Sequence, residues 1–157
     1  MKYLFFSSLF LLACQPTEPD QHISTNHSEP VKPVLVIHGG AGNISPESIP
    51  DSLAALYSEA LKEALALGNS ILVNDGSALE AVEATIRTME DNPLFNAGKG
   101  SVLNMKGEVE NDASIMDGTT LEAGAVSGVQ GVKNPISLAR LVKDSTKHVM
   151  LSGKGAN

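Results

Sequence analysis

Apolar residues recur at three- and four-residue spacing through Leu53, Leu56, Ala60, Leu61, Ala64, Leu65 and Leu67, and Asp51 or Ser52 can cap the start. This pattern predicts a helix from Asp51 that Gly68 interrupts or ends ahead of "NSILVNDG". A second helix is marked more sharply. Ser77 and Glu80 stand at capping-box spacing, and Ala78, Ala81, Val82, Thr85, Ile86 and Met89 line one face. It must stop by Asn92, because Pro93 disfavours the helical state of the residue before it. "NPISLARLVKD" predicts a third helix, with Asn134 as cap, Pro135 at the first helical position, and Ile136, Ala139, Leu141 and Val142 as apolar contacts.

Between and around the helices lie strand signals. "VLVIH", Val34 to His38, is a continuous apolar run bounded by Pro33 and by Gly39 and Gly40, which fits a strand buried on both faces. After the second helix come "SVLN", a turn at "MKGE", then "VENDASIMDG", "AGAVSGVQGV" and, past the third helix, "HVMLSG". Helices alternating with strands place the chain in the α/β class. Its length of 157 residues and 42% hydrophobic content support one ordinary domain. With 4% aromatics and 14 glycines, the core is expected to use Ala, Val, Leu and Ile at close backbone approach.

Charge removes one class of partner. A net charge of -7, with no run of Lys or Arg, argues against nucleic acid. The N-terminus stands apart from the domain. "MKYLFFSSLFLLAC" has a basic start at Lys2, a short apolar run and the small Ala13 before Cys14, and it is too short for a spanning helix, which needs about 20 apolar residues. Residues 1–13 read as a signal peptide and 14–33 as a lipidated cysteine and flexible tether, leaving 34–157 for the domain. "LLAC" resembles the lipobox of bacterial lipoproteins, which implies acylation of Cys14, export, and a lipid anchor in the membrane. Gln15 after the cysteine favours the periplasmic face of the outer membrane in a Gram-negative bacterium. The alternative is a plain secretory signal whose cysteine is incidental. Cys14 is the only cysteine, so no intramolecular disulfide is possible. Gln15 to Pro33 holds four prolines and few aliphatics, and its His22 and His27 read as solvated side chains rather than a metal patch.

Two glycine-rich stretches carry the candidate chemistry. "HGGAG" after the first strand could cradle phosphate, but G-x-G-x-x-G spacing is absent and Pro46 and Pro50 keep a helix from opening on the turn. His38 beside it could serve as a base, though a lone histidine at a strand end is more often a packing residue. "NPLFNAGKGSVLN", Asn92 to Asn104, begins where the second helix leaves backbone carbonyls without intrahelical partners. Such carbonyls, continued through the bends at Pro93 and Gly98, can converge on a hard cation, which prefers oxygen ligands.

"VIHGGAG", "NPLFNAGKGSVLN", "DASIMDGTTLEAGAVSGV" and "NPISLARLVKDSTKHVMLSGKGA" stand in order from Val34 onward. Together they closely resemble the plant-type L-asparaginase and isoaspartyl peptidase family of N-terminal nucleophile hydrolases. The resemblance implies a four-layer αββα sandwich, present here as the incomplete α-subunit half, and autocleavage of a precursor that exposes an N-terminal threonine as nucleophile. Its implied substrates are the side-chain amide of L-asparagine and β-aspartyl dipeptides. Its implied partner is a β portion in a heterotetramer-type assembly, which also carries the oxyanion site and an Arg/Asp substrate clamp. The resemblance implies no organic cofactor and a structural sodium ion, held by the main-chain oxygens of Met89, Glu90, Asn92, Phe95, Ala97 and Lys99.

Asn96 corresponds to an asparagine near the nucleophile, where its amide can orient a threonine hydroxyl or a backbone group. Gly118-Thr119 is the only Gly-Thr pair in the sequence, yet the family carries a related "MDG" stretch whose following residues are structural. The expectation is therefore a chain truncated before the catalytic threonine and inactive alone. The competing expectation is a non-catalytic surface lipoprotein that uses the α half as a binding module.

Overall fold

The structure, a computed structural model, describes residues 32–42, 45 and 47–156. The expected leader, Cys14, and all of the tether up to residue 31 lie outside the described residues.

The first helix, α1, runs Asp51–Val73, and the second, α2, runs Ala78–Glu90. Pro50 precedes α1, and neither Asp51 nor Ser52 caps it by a side chain; the Pro50 carbonyl instead accepts the N–H groups of Leu53 and Ala54 at 2.9 and 3.0 Å. Gly68 does not break α1. It is buried against α2, where a Cβ would collide with the Thr85 hydroxyl and stand 2.5 Å from a methyl carbon of Leu35. The glycine therefore marks a close helix–helix approach, and tertiary packing overrides its poor helix propensity. α2 starts as its sequence predicts, with Glu80 N–H donating to Ser77 Oγ and Ser77 N–H donating to Glu80 Oε2.

A sheet follows, built from β1 (Asn111–Met116), β2 (Ala123–Val129) and, after α3 (Pro135–Ser145), β3 (Met150–Ser152). β1 and β2 form an antiparallel hairpin, while β3 pairs parallel to β2, so the order is β1-β2-β3 and α3 is the crossover that a parallel pair requires. Of the expected "SVLN" strand only one antiparallel bridge, Leu103 to Val109, forms among the described residues.

Val34 to His38 is extended but joins no ladder among the described residues, and Val34 and Val36 are each 83% exposed. The expectation of a strand buried on both faces is corrected on that point: Leu35 and Ile37 turn inward, whereas their neighbours face outward.

The core lies between the sheet and α3. Ile115, Val126, Val129, Ile136, Ala139 and Val142 are all buried there, flanked by Leu79, Val82 and Ile86 of α2. Gly124 of β2 admits α3 closely, since a Cβ would stand 2.5 Å from the Lys143 backbone nitrogen. The opposite sheet face carries exposed Asp112, Ser114, Met116 and Met150. A small mixed sheet with helices on one face is an α/β arrangement.

Candidate functional site

α2 ends where Asn92 precedes Pro93, and the chain then folds into a series of short turns. Asn92 N–H donates to Met89 O at 3.1 Å, Phe95 N–H to Asn92 O at 3.3 Å, and Ala97 N–H to Phe95 O at 2.8 Å. The Asn92 side chain accepts Leu94 N–H at 3.0 Å, a local turn of the kind short amides favour. Gly98 then adopts a left-handed φ of 52° and opens a single 3₁₀ turn, Gly98–Gly100. Both glycines are required by space. A Cβ at Gly98 would stand 2.5 Å from the Glu90 carbonyl oxygen, and one at Gly100 would overlap the Phe95 oxygen and lie 2.7 Å from that of Pro93.

The loop is anchored on several sides. Phe95 is buried at 4% exposure and meets Tyr57 of α1 edge-on, with ring centroids 6.1 Å apart. Asn111 Oδ1, at the start of β1, accepts Gly98 N–H at 3.2 Å and the Ser101 hydroxyl at 2.5 Å. Glu90, 3% exposed, accepts the Ile136 N–H of α3 at 2.9 Å through Oε1, while Oε2 has no hydrogen-bond partner among the described residues. Burial pushes its carboxyl above the usual glutamate range, opposed by the Ile136 N–H and the adjacent Asn134 amide. Asp91, beside it, is held below its ordinary range by Lys133 and Asn134, which donate to it at 3.1 and 3.2 Å.

The six carbonyls of Met89, Glu90, Asn92, Phe95, Ala97 and Lys99 thus belong to one closed loop. Among the described residues, those of Met89, Asn92, Phe95 and Ala97 each accept one backbone N–H, leaving a second lone pair, and those of Glu90 and Lys99 accept none. Such an all-oxygen donor set is the kind a hard cation takes. The Lys99 side chain is exposed.

The Asn96 oxygen accepts Val102 N–H at 2.9 Å, bracing the loop, and its Nδ2 makes no hydrogen bond among the described residues. His38 is exposed rather than packed, and its Nδ1 accepts Gly40 N–H at 3.1 Å, within the glycine turn. A groove of about 360 Å³ lined by Leu35, Ile37, His38, Thr85, Met89 and Ala97 brings that turn and the loop together. Thr119 lies in the exposed β1–β2 hairpin turn. Its N–H donates to Asp117 Oδ1 at 2.8 Å, and Leu121 N–H closes the turn on Asp117 O, also at 2.8 Å.

The asparaginase family model matches residues 31–157, a stretch that includes this loop. This chain belongs to the asparaginase family. It is 52% identical over 125 residues to the isoaspartyl peptidase/L-asparaginase of Danio rerio, covering 80% of this chain and 39% of that protein. It is also 55% identical over 123 residues to the plant-type L-asparaginase of Pyrococcus horikoshii, covering 78% of this chain and 38% of that one. The chain spans about two fifths of the length of the curated relatives it matches. Two side-chain anchors near the loop escape sequence patterns: the carboxylate of Glu90, of which the sequence singled out only the carbonyl, and the amide of Asn111. Each left a signal: an acid in the last turn of a helix, and an amide in phase with the inward-facing Ala113 and Ile115.

Proposed function

We propose that this chain forms the α portion of an N-terminal nucleophile amidohydrolase acting on the side-chain amide of L-asparagine and on β-aspartyl dipeptides. The observation that carries this reading is the glycine-closed loop from Met89 to Lys99, lodged between Tyr57, Asn111 and the His38 turn in a chain of the asparaginase family. In this reading the exposed sheet face receives a second sheet from a β portion, completing an αββα sandwich in a heterotetramer-type assembly. The β portion brings the threonine nucleophile, the oxyanion donors and the Arg/Asp clamp. This chain brings the scaffold, the loop and one wall of the active site.

The loop carbonyls of Met89, Glu90, Asn92, Phe95, Ala97 and Lys99 are proposed to hold sodium, and their fit rests on the glycine cradle at Gly98 and Gly100. Bound there, the ion supplies a fixed positive charge to which the loop oxygens are tied. Asn96, with its oxygen held by Val102, keeps Nδ2 for a threonine hydroxyl or a backbone group of the incoming portion. Thr119 is a poor nucleophile candidate, because cutting Gly118-Thr119 would sever the hairpin that joins β1 to β2. Acylation of Cys14 would place the assembly on the periplasmic face of an outer membrane. Mass spectrometry of membrane-extracted protein should then find a diacyl or triacyl adduct, and Cys14→Ser should move the protein to the soluble fraction.

The reading is tested by combining the chain with a β portion prepared from a relative and measuring ammonia released from L-asparagine and amino acid released from β-aspartyl dipeptides. Turnover that requires both pieces supports it. A stable assembly with no turnover on either substrate class contradicts it and favours a non-catalytic lipoprotein.

A further inference from the structure

Asn111 holds both ends of the 3₁₀ turn that closes the loop. Its Oδ1 takes Gly98 N–H at 3.2 Å and the Ser101 hydroxyl at 2.5 Å, and these two residues bracket Lys99. Gly98 is the residue that lies against the Glu90 carbonyl, so the amide fixes the separation between the start and the end of the oxygen set without contributing an oxygen itself. The sheet is built to put it there. Ala113 faces Val126, but Asn111, next on the inward row, faces Val129, so β2 carries one residue more than β1 between the two pairs. Gly128, in that irregularity, has a left-handed φ of 59° and gives its N–H to Asp112 Oδ1 at 2.8 Å. A bulge of this kind re-aims the side chains beside it. Here it sits at the strand end where an amide replaces the aliphatic residues of the same row.

We infer that Asn111 is a positioning residue that sets the spacing of the loop carbonyls and thereby the loop's affinity for a sodium-sized monovalent cation. This rests on the ion-loop reading above. A cation site gains affinity when its ligands are held at the required separation before the ion arrives, and discriminates by cavity size and rigidity.

The test is thermal melting of the full chain in sodium, potassium and choline chloride at equal ionic strength, because an ion that binds only the folded state raises the melting temperature by an amount that grows with the logarithm of its concentration over its dissociation constant. Wild type should melt higher in sodium than in choline, by a margin that grows logarithmically once sodium exceeds the dissociation constant. Asn111→Leu, which fills the space without an acceptor, should weaken the apparent sodium affinity about fivefold to tenfold, the equivalent of a lost hydrogen bond, and blunt the preference over potassium. Asn111→Asp keeps the acceptor and should stay within about threefold of wild type. A purely structural role would lower the melting temperature equally in all three salts and leave the sodium margin intact; that result overturns the inference. Should Asn111→Leu fail to fold, Ser101→Ala removes one of the two donors, and an unchanged sodium affinity in that variant overturns it equally. Absence of any sodium margin in wild type instead sinks the ion-loop reading, and this inference with it.

Discussion

Glu90 closes α2 and at the same time caps α3, by accepting the N–H of Ile136 at 2.9 Å. Asn134, which the sequence placed as the cap of α3, makes no side-chain cap and gives its amide to Asp91 instead. Two acids at the C-terminal end of a helix oppose its dipole, but Glu90 and Asp91 face the start of α3, where negative charge is favoured. Removing Glu90 leaves a buried N–H without an acceptor, at a cost of roughly 1–3 kcal/mol. Urea denaturation should show that loss for Glu90→Ala and a clearly smaller one for Glu90→Gln, which keeps an oxygen for Ile136. Equal losses would mean that the carboxylate's charge, which glutamine lacks, and not an acceptor for the Ile136 N–H, is what counts.

The glycines separate two physical effects. Gly100 has ordinary backbone angles but no room, Gly107 has a φ of 77° with open space around it, and Gly98 combines a φ of 52° with a carbonyl 2.5 Å from where a Cβ would go. Gly107→Ala should therefore cost about 1 kcal/mol from conformation alone. Gly98→Ala should cost the most of the three, on the order of 3 kcal/mol or more, because backbone strain and overlap add. Chemical denaturation of the three variants ranks them, and a Gly107 variant as damaged as the Gly98 one would refute the packing of the loop.

Ala97 N–H donates to Phe95 O, and Ala97 has a φ of -158°, so proline at this position both removes a donor and imposes the wrong angle. Ala97→Pro should abolish the sodium-dependent rise in melting temperature, whereas Lys99→Ala, which keeps its carbonyl and loses only an exposed side chain, should leave it nearly intact. If Lys99→Ala were the more harmful change, the ammonium would be acting in place of an ion.

Asp117 gives the clearest pH dependence. Its carboxyl is held below the ordinary aspartate range chiefly by the Thr119 N–H, which burial opposes, with the Thr120 N–H and the Lys143 charge adding smaller lowering effects. A depressed folded-state pKa contributes stability that is fully present above the unfolded value and is lost as pH falls through the folded one. The stability difference between wild type and Asp117→Asn should accordingly be constant near neutrality and shrink as pH drops below the usual aspartate range. A difference that stays flat down to the lowest pH at which the chain folds would count against the charged turn.

What could be read from the sequence was what neighbours in sequence decide. The Ser77–Glu80 box, Pro135 at the first turn of α3 and the β1–β2 hairpin all depend on residues a few positions apart, and the structure contains them. The apolar run at Val34 to His38 fits a strand, yet a ladder needs a partner that no local pattern supplies. Gly68 carried a genuine breaker signal that contact with Thr85 overrules. The loop was legible because Pro93, Gly98 and Gly100 crowd together. Its anchors were not, since Asn111 reaches Gly98 across 13 residues and Glu90 reaches Ile136 across 46.

The central claim is that this chain supplies frame and ion loop while the nucleophile comes from another segment. The direct measurement is ammonia release from L-asparagine by the purified chain alone, run beside Thr119→Ala. The account predicts no signal above a blank for either protein, because Thr119 has its N–H committed to Asp117 within an intact hairpin and no free amine to take the hydroxyl proton. Ammonia produced by the chain and lost in Thr119→Ala would contradict it.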